Sequence, residues 1–211
     1  MNDTLYLRCK EKNIMPLHVC EVGVYLPEAS NVLGFIKDGI TTTLVEADPV
    51  INEKLRTFFA NDKNVTLVEY AVYNENRQLE FCRADASTFA RDIPSSPALA
   101  NDKFDIKKAN TFTVEAKRFD EIDNGSIDLL SIDTEGCDWY GIQNMTSRPT
   151  VISIETGTKN YINPFIKEIN EWMQSNGYEI WYRERSDTVY VRKGSVQFTF
   201  TEKVRTALGF K

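Results

Sequence analysis

The chain has 211 residues, a net charge of −6 and a single histidine, long enough for one α/β domain with helices on both sides of a sheet. The acidic balance argues against a nucleic-acid backbone as main partner, because phosphate binding needs clustered Lys and Arg. No apolar run nears the roughly 20 residues of a membrane span, there is no signal-peptide core, and the four cysteines lack any CxxC spacing. The expectation is a cytoplasmic protein with reduced thiols that does not enter a membrane.

Apolar runs alternate with helical patterns, the mark of βαβ units and a parallel sheet. Residues 17–24 read as the first strand, with Cys20 inside it. Pro27 can open a helix that Gly39 closes. Residues 42–46 are the second strand; Asp48 then caps, and Pro49 begins, a helix with Ile51, Leu55, Phe58 and Phe59 on one face. Residues 65–70 are the third strand, Asn74 to Asn76 give a turn, and residues 78–82 return as a hairpin arm. Residues 84–110, with Ser95, Ser96 and Pro97, are expected as a long surface loop, a length that is usually functional or disordered. Residues 112–116 read as a short strand and 118–122 as a helical turn leading into the fourth strand. A short helix over 138–145 precedes the fifth strand, 150–155. Asn163 and Pro164 open a helix with Ile166, Ile169, Trp172 and Met173 on its apolar face, closed by Asn176 and Gly177. Residues 178–183 and 188–192 form a final antiparallel pair. The organisation expected is a single domain: a ligand-binding core over about 15–155, a C-terminal helix and hairpin over 156–195, and an unplaced tail over 196–211.

The segment Ile127 to Gly136 is the most informative. A short apolar run ends in Asp133 and Glu135, and Gly136 frees the turn that follows. In open α/β sheets ligands bind beyond the carboxyl ends of the strands. The first strand likewise runs into Glu21, the second ends at Glu46 and the fifth at Glu155. Taken singly, each acid is better explained as a solvated surface group. Four strands ending alike at one edge point instead to a polar crevice.

A carboxylate after the second strand can accept from both hydroxyls of a ribose, and Gly23 lets a backbone approach a ligand closely. The three-glycine dinucleotide fingerprint is absent, since only Gly23 remains and Pro27 stands where a later glycine would; the GxxxxGK[ST] phosphate loop is absent too. A ribose-bearing ligand without pyrophosphate fits better. S-adenosylmethionine is the commonest such ligand on this architecture, and its cationic ammonium and sulfonium suit Glu21. His18 lies at the opposite edge of the sheet, so a base must be Asp133, Glu135 or Glu155, acting directly or through a divalent metal. The plainer role for Asp133 and Glu135 is to bond loop amides and cap the next helix. Trp139 and Tyr140 could line an acceptor pocket, whereas Trp172 reads as core.

These residues also carry a family resemblance. Val19-Cys-Glu-Val-Gly23, Leu44-Val-Glu-Ala-Asp-Pro49, Val68-Glu-Tyr-Ala-Val72, Arg118-Phe-Asp-Glu-Ile122, the Asp-Thr-Glu-Gly of residues 133–136 and the strand ending at Glu155 follow one another over about two thirds of the chain. In that order they resemble the FkbM-type S-adenosylmethionine-dependent methyltransferases. The resemblance implies a Rossmann-like class I methyltransferase fold: a mostly parallel central sheet, an antiparallel C-terminal hairpin and helices on both faces. It implies O-methylation of a hydroxyl on a sugar or other small molecule. It places Glu21, Gly23, Tyr25, Glu46, Ala47, Tyr70, Ala71, Val72 and Asp133 around the cofactor, with Glu46 on the ribose and Tyr70 to Val72 near the adenine. Asp133, Glu135 and Glu155 fall on the acceptor side as catalytic residues, and as the ligands of any metal. The first loop departs from the family, which usually has a small residue, an Asn and a second Gly where this chain has Val24, Tyr25 and Pro27. The alternative is therefore a nucleoside-binding domain of the same fold that has lost catalysis. A nicotinamide oxidoreductase is disfavoured by the missing glycines.

Overall fold

Strands Leu129–Ile132 and Val151–Glu155 are buried at every position, as strands covered on both faces must be. They form the centre of a computed structural model that describes residues 4–84, 87–158 and 160–208. In chain order the strands are β1 (His18–Val22), β2 (Thr41–Val45), β3 (Val65–Val68), β4 (Ala71–Val72), β5 (Arg77–Ala84), β6 (Ser87–Ala90), β7 (Asn110–Lys117), β8 (Leu129–Ile132), β9 (Val151–Glu155), β10 (Tyr178–Glu184) and β11 (Asp187–Arg192). The main sheet has seven strands in the order β10-β11-β9-β8-β1-β2-β3. β3, β2, β1, β8 and β9 run parallel, and the β10–β11 hairpin adds antiparallel to β9.

Helices α1 (Thr4–Glu11), α2 (Leu33–Lys37) and α3 (Pro49–Phe58) cover one face, where Leu5, Cys9, Phe35, Ile36 and Leu55 meet Val19, Leu44, Leu129 and Val151. A short helix α4 (Pro97–Asn101) lies outside this layer. Helices α5 (Asp138–Gln143) and α6 (Ile166–Ser175) cover the other face, with Ile142, Ile169 and Met173 on Cys20, Leu130, Ile132 and Ile152. Asp48 accepts a hydrogen bond from the Val50 amide and so caps α3, with Pro49 in its first turn. The fold matches the expected mostly parallel sheet with helices on both faces and an antiparallel C-terminal hairpin.

The sequence reading fails most between residues 84 and 110. That segment was expected as a surface loop, yet it contributes to a second, four-stranded sheet of order β4-β7-β5-β6. Phe89, Ala90, Ile93 and Ala98 are buried in a third apolar cluster with Leu79, Val114 and Ala116, and the buried Ser96 caps α4 by accepting from the Leu99 amide. Polar, proline-containing sequence here encodes short elements that only tertiary contact holds together. The helix expected from Pro27 is a 3-10 turn, Pro27–Ala29, followed by α2. The N-terminal α1 was not anticipated, and the tail left unplaced by the sequence forms α7 (Phe200–Leu208).

Candidate active site

The register of the main sheet sets one row of residues along its carboxyl edge. Val22 pairs with Val45 and with Ile132, and Ile132 with Ile154. Continuing each ladder by one residue aligns Glu46, Gly23, Asp133 and Glu155, and Glu155 pairs directly with Asp187 of β11. Backbone bonds carry the ladder past the last apolar pair, since the Gly23 amide donates to Val45 and the Asp133 amide to Val22, each at 2.9 Å. Four acids and one glycine thus stand side by side where open α/β sheets bind ligands. The glycine is required by packing: at φ +84°, a Cβ on Gly23 would stand 1.8 Å from the Asp133 carbonyl oxygen. Gly23 was read as making room for a ligand, and its first function is to make room for the neighbouring strand.

Two cavities open along this row. One, of about 100 Å³, lies between the two sheets and is lined by Glu46 and Ala47 from the main sheet, Tyr70, Ala71 and Val72 after β3, and Phe81 and Thr88 from the small sheet. The other, of about 410 Å³, runs between the first loop and the β10–β11 turn, past Glu21, Ser30, Asn31 and Asp187. Gly23, Tyr25 and Asp133 border both. A ligand spanning the two cavities must therefore cross Asp133.

Burial dominates the electrostatics. Glu21 is 2% exposed and accepts from the Ser30 hydroxyl at 2.5 Å and the Asn31 amide at 2.8 Å, yet loss of solvent pushes its carboxyl up to about 7. Glu46 accepts from the Val24 and Asp48 amides at 2.9 and 2.7 Å, one per oxygen, and is likewise raised to about 7 by burial. The Ala47 amide also stabilises this carboxylate. Asp133 is raised well above the carboxylate range by burial first, and then by Glu155 and Glu135. Burial, then the neighbouring acids, raises Glu155 to about 9, and burial raises Glu135 to about 7. Asp133 Oδ1, Glu135 Oε2, Glu155 Oε2 and the Tyr161 hydroxyl are buried without a hydrogen-bond partner. Unsatisfied buried polar atoms are costly in a folded chain, and these four gather around the row.

The loop that presents Asp133 and Glu135 is held from behind. Asp138 accepts from the Thr134 amide at 2.9 Å, the Thr134 hydroxyl at 3.2 Å and the Gly136 amide at 3.2 Å. Asn163 donates to Asp138 at 2.6 Å and to the Glu155 carbonyl at 3.0 Å, tying the loops after β8 and β9 together. Glu135 takes a left-handed backbone at φ +55°, and a Cβ on Gly136 would stand 2.4 Å from the Ser95 carbonyl. The loop-bonding role considered for Asp133 and Glu135 belongs to Asp138, and no side chain caps α5, whose N-cap is Cys137.

Of the residues singled out in the sequence, Gly23, Tyr25, Glu46, Ala47, Tyr70, Ala71, Val72, Asp133 and Glu135 line the cavity between the sheets. Glu21 lines only the second cavity, and Glu155 borders neither, standing next to Asp133 in the row. His18 begins β1 at the far edge, hydrogen-bonded to Ser126 and Thr43. Tyr140 packs on Tyr73 and Phe165, and Trp172 stacks on Tyr178. Asp138, Asn163, Tyr161 and Asp187 were missed, as were Phe81 and Thr88. Asp187 sits in the turn between two recognised strands, and that polar position opposite a strand-ending Glu155 was the one available signal. Among the described residues no three His, Cys, Asp or Glu side chains are arranged to hold a metal ion. The metal-ligand reading of Asp133, Glu135 and Glu155 therefore lacks its geometry, and a hydrogen bond draws Glu135 toward Ser87. All four cysteines are buried free thiols, and no described helix is long and apolar enough to cross a membrane.

Comparison with known proteins agrees with this arrangement. No curated protein matches the sequence. The fold is similar to that of a putative caffeoyl-CoA O-methyltransferase from Staphylococcus aureus, with a TM-score of 0.51 and 11% identity over 90% of this chain and 81% of that one. It is also similar to Aeropyrum pernix fibrillarin, solved with natively bound S-adenosyl-L-methionine, with a TM-score of 0.45 and 10% identity over 89% of this chain and 74% of that one. The main sheet and its flanking helices are those of a class I S-adenosylmethionine-dependent methyltransferase. The methyltransferase FkbM domain matches residues 21–180, most of the chain and the row described above except Asp187, and the protein belongs to that family.

Proposed function

We propose that the protein is an S-adenosylmethionine-dependent O-methyltransferase acting on a hydroxyl of a sugar or other small molecule in the cytoplasm. The observation that carries this reading is Asp133, which borders both cavities and holds a buried oxygen without a partner. The residues fit the cofactor. Glu46 offers its carboxylate oxygens to the ribose hydroxyls, Ile51, Val72 and Phe81 give apolar walls for a base, and Glu21 and Asp133 offer negative charge to an ammonium and a sulfonium. When bound, S-adenosylmethionine supplies an electrophilic methyl group on a sulfonium.

The protein's own share is orientation and proton transfer. Glu46 and Gly23 set the cofactor's place along the row, which favours an in-line approach by fixing one reactant. Asp133 Oδ1 takes the proton from the acceptor hydroxyl. Burial and the neighbouring Glu155 and Glu135 raise its pKa above the carboxylate range, so once ionised it is a stronger base than a free aspartate. Glu155 and Glu135 maintain that basicity by their charge. Asp138 and Asn163 keep the loop still while the proton moves.

The test is titration calorimetry with S-adenosylmethionine and S-adenosylhomocysteine, followed by a screen of hydroxylated acceptors for S-adenosylhomocysteine release. Micromolar binding with release supports the reading. A non-catalytic nucleoside-binding domain is the second reading, favoured by Glu46 already accepting two backbone amides; binding without release on any acceptor would establish it.

A further inference from the structure

We propose that the methyl acceptor is an amino alcohol, such as an amino sugar, whose ammonium is seated by Asp133 and Asp187, with Glu155 between them in the row. This rests on the methyltransferase reading above and names the substrate class of that same site. Glu155 and Asp187 are direct register partners, and Asp133 is next in the row. Glu155 is 5% exposed and its Oε2 has no partner; the adjoining Asp133 Oδ1 has none either. The cavity of about 410 Å³ alongside is bordered by five carboxylates, Glu21, Glu28, Asp133, Glu184 and Asp187, against one basic residue, Arg185.

Charge counting decides what such a place takes. The cofactor brings an ammonium, a sulfonium and a carboxylate, a net of one positive charge. Burial holds protons on the acids of the row while the site is empty, and a bound cation supplies the counter-charge that lets them ionise. A neutral hydroxyl brings one donor, whereas an ammonium brings three donors and a positive charge. It can meet Asp133 and Asp187, which both line this cavity, with Glu155 between them in the row. A metal ion would relieve the same charge, but no such ligand set exists among the described residues. With the ammonium seated beside Asp133, a hydroxyl on the neighbouring carbon falls within reach of the same carboxylate.

Full-length protein saturated with S-adenosylhomocysteine is titrated with 2-aminoethanol and, in parallel, with ethylene glycol at matched ionic strength, reading the melting temperature and bound fraction. The two probes share a hydroxyl and differ in the ammonium. We expect 2-aminoethanol to act at a concentration about tenfold lower or better, the factor one charge-assisted bond provides. That preference should weaken with added salt and be erased in both Glu155→Gln and Asp187→Asn. Equal action of the two probes, action of neither, or a preference that survives both substitutions overturns the proposal. Failure of S-adenosylhomocysteine itself to bind, seen in the first titration, overturns the methyltransferase reading separately.

Discussion

Arg83 of β5 reaches across to Asp48 at the start of α3, with its Nε 2.9 Å from Oδ2 and a terminal nitrogen 2.8 Å from Oδ1. The fork joins β5 of the small sheet to the N-terminus of α3, two residues beyond Glu46. Asp48 is 2% exposed, and its backbone amide donates to Glu46, so Arg83 acts on the row through one intermediary. Bidentate pairs of this kind are directional, and lysine does not reproduce them. Arg83→Met should lower stability by about 1–3 kcal/mol and raise the KM for the cofactor more than it lowers kcat. Arg83→Lys should recover only part of either loss. A thermal melt and a cofactor titration check both, and an unchanged KM in Arg83→Met would remove Arg83 from this positioning role.

Glu46→Ala removes the acceptor for two ribose hydroxyls. Hydrogen bonds to a charged group are worth about 1.5–3 kcal/mol, so S-adenosylhomocysteine should bind roughly ten- to a hundredfold more weakly. Calorimetry on the folded variant measures this, and an unaltered dissociation constant excludes Glu46 from the site.

Asp133→Asn keeps the shape of the row and deletes the base. Turnover should fall by about 10²–10⁴ while cofactor affinity changes far less. The separation of the two effects is the test. Equal losses in binding and turnover would make Asp133 a binding residue instead.

Stability should fall as the pH is raised. Glu21, Glu46 and Glu135 are raised from 4.5 to about 7, and Glu155 to about 9. Between the unfolded and folded values the native state holds more protons than the unfolded chain, so the slope of unfolding free energy against pH is negative. The contribution is complete below about pH 4.5 and is lost through pH 7 to 9. Melting temperatures at constant ionic strength should therefore decline from pH 6 to pH 9, and saturating S-adenosylmethionine, which brings positive charge to the deprotonated acids, should flatten the decline. A rise over that range would contradict the burial of these groups.

Gly23→Ala places a methyl group against the Asp133 carbonyl at a positive φ. A non-glycine residue in such a backbone costs about 1–3 kcal/mol before any clash. Loss of cofactor binding together with a clearly lower melting temperature is expected, and a variant as stable as the parent would show that the strand ends can separate.

The sequence alone determined the main sheet and the acids at its edge. Buried parallel strands must be continuous apolar runs, and each run stops where the chain meets solvent or a ligand, so Glu46, Asp133 and Glu155 could be placed without coordinates. The small sheet could not. Arms over 78–82 and 112–116 were legible, but their pairing as β5 and β7 was not, and Phe89, Ala98 and Ser96 become interior only through that non-local contact, which leaves no periodic trace in the segment between them. The same limit hid Asp138 and Asn163, whose side chains act on backbone amides of a neighbouring loop. It hid Asp187 as well, which joins the row through strand register. Local hydrophobic pattern fixes which segments are strands; which polar groups meet at their ends is decided by pairing between distant segments, and only the tertiary structure contains it.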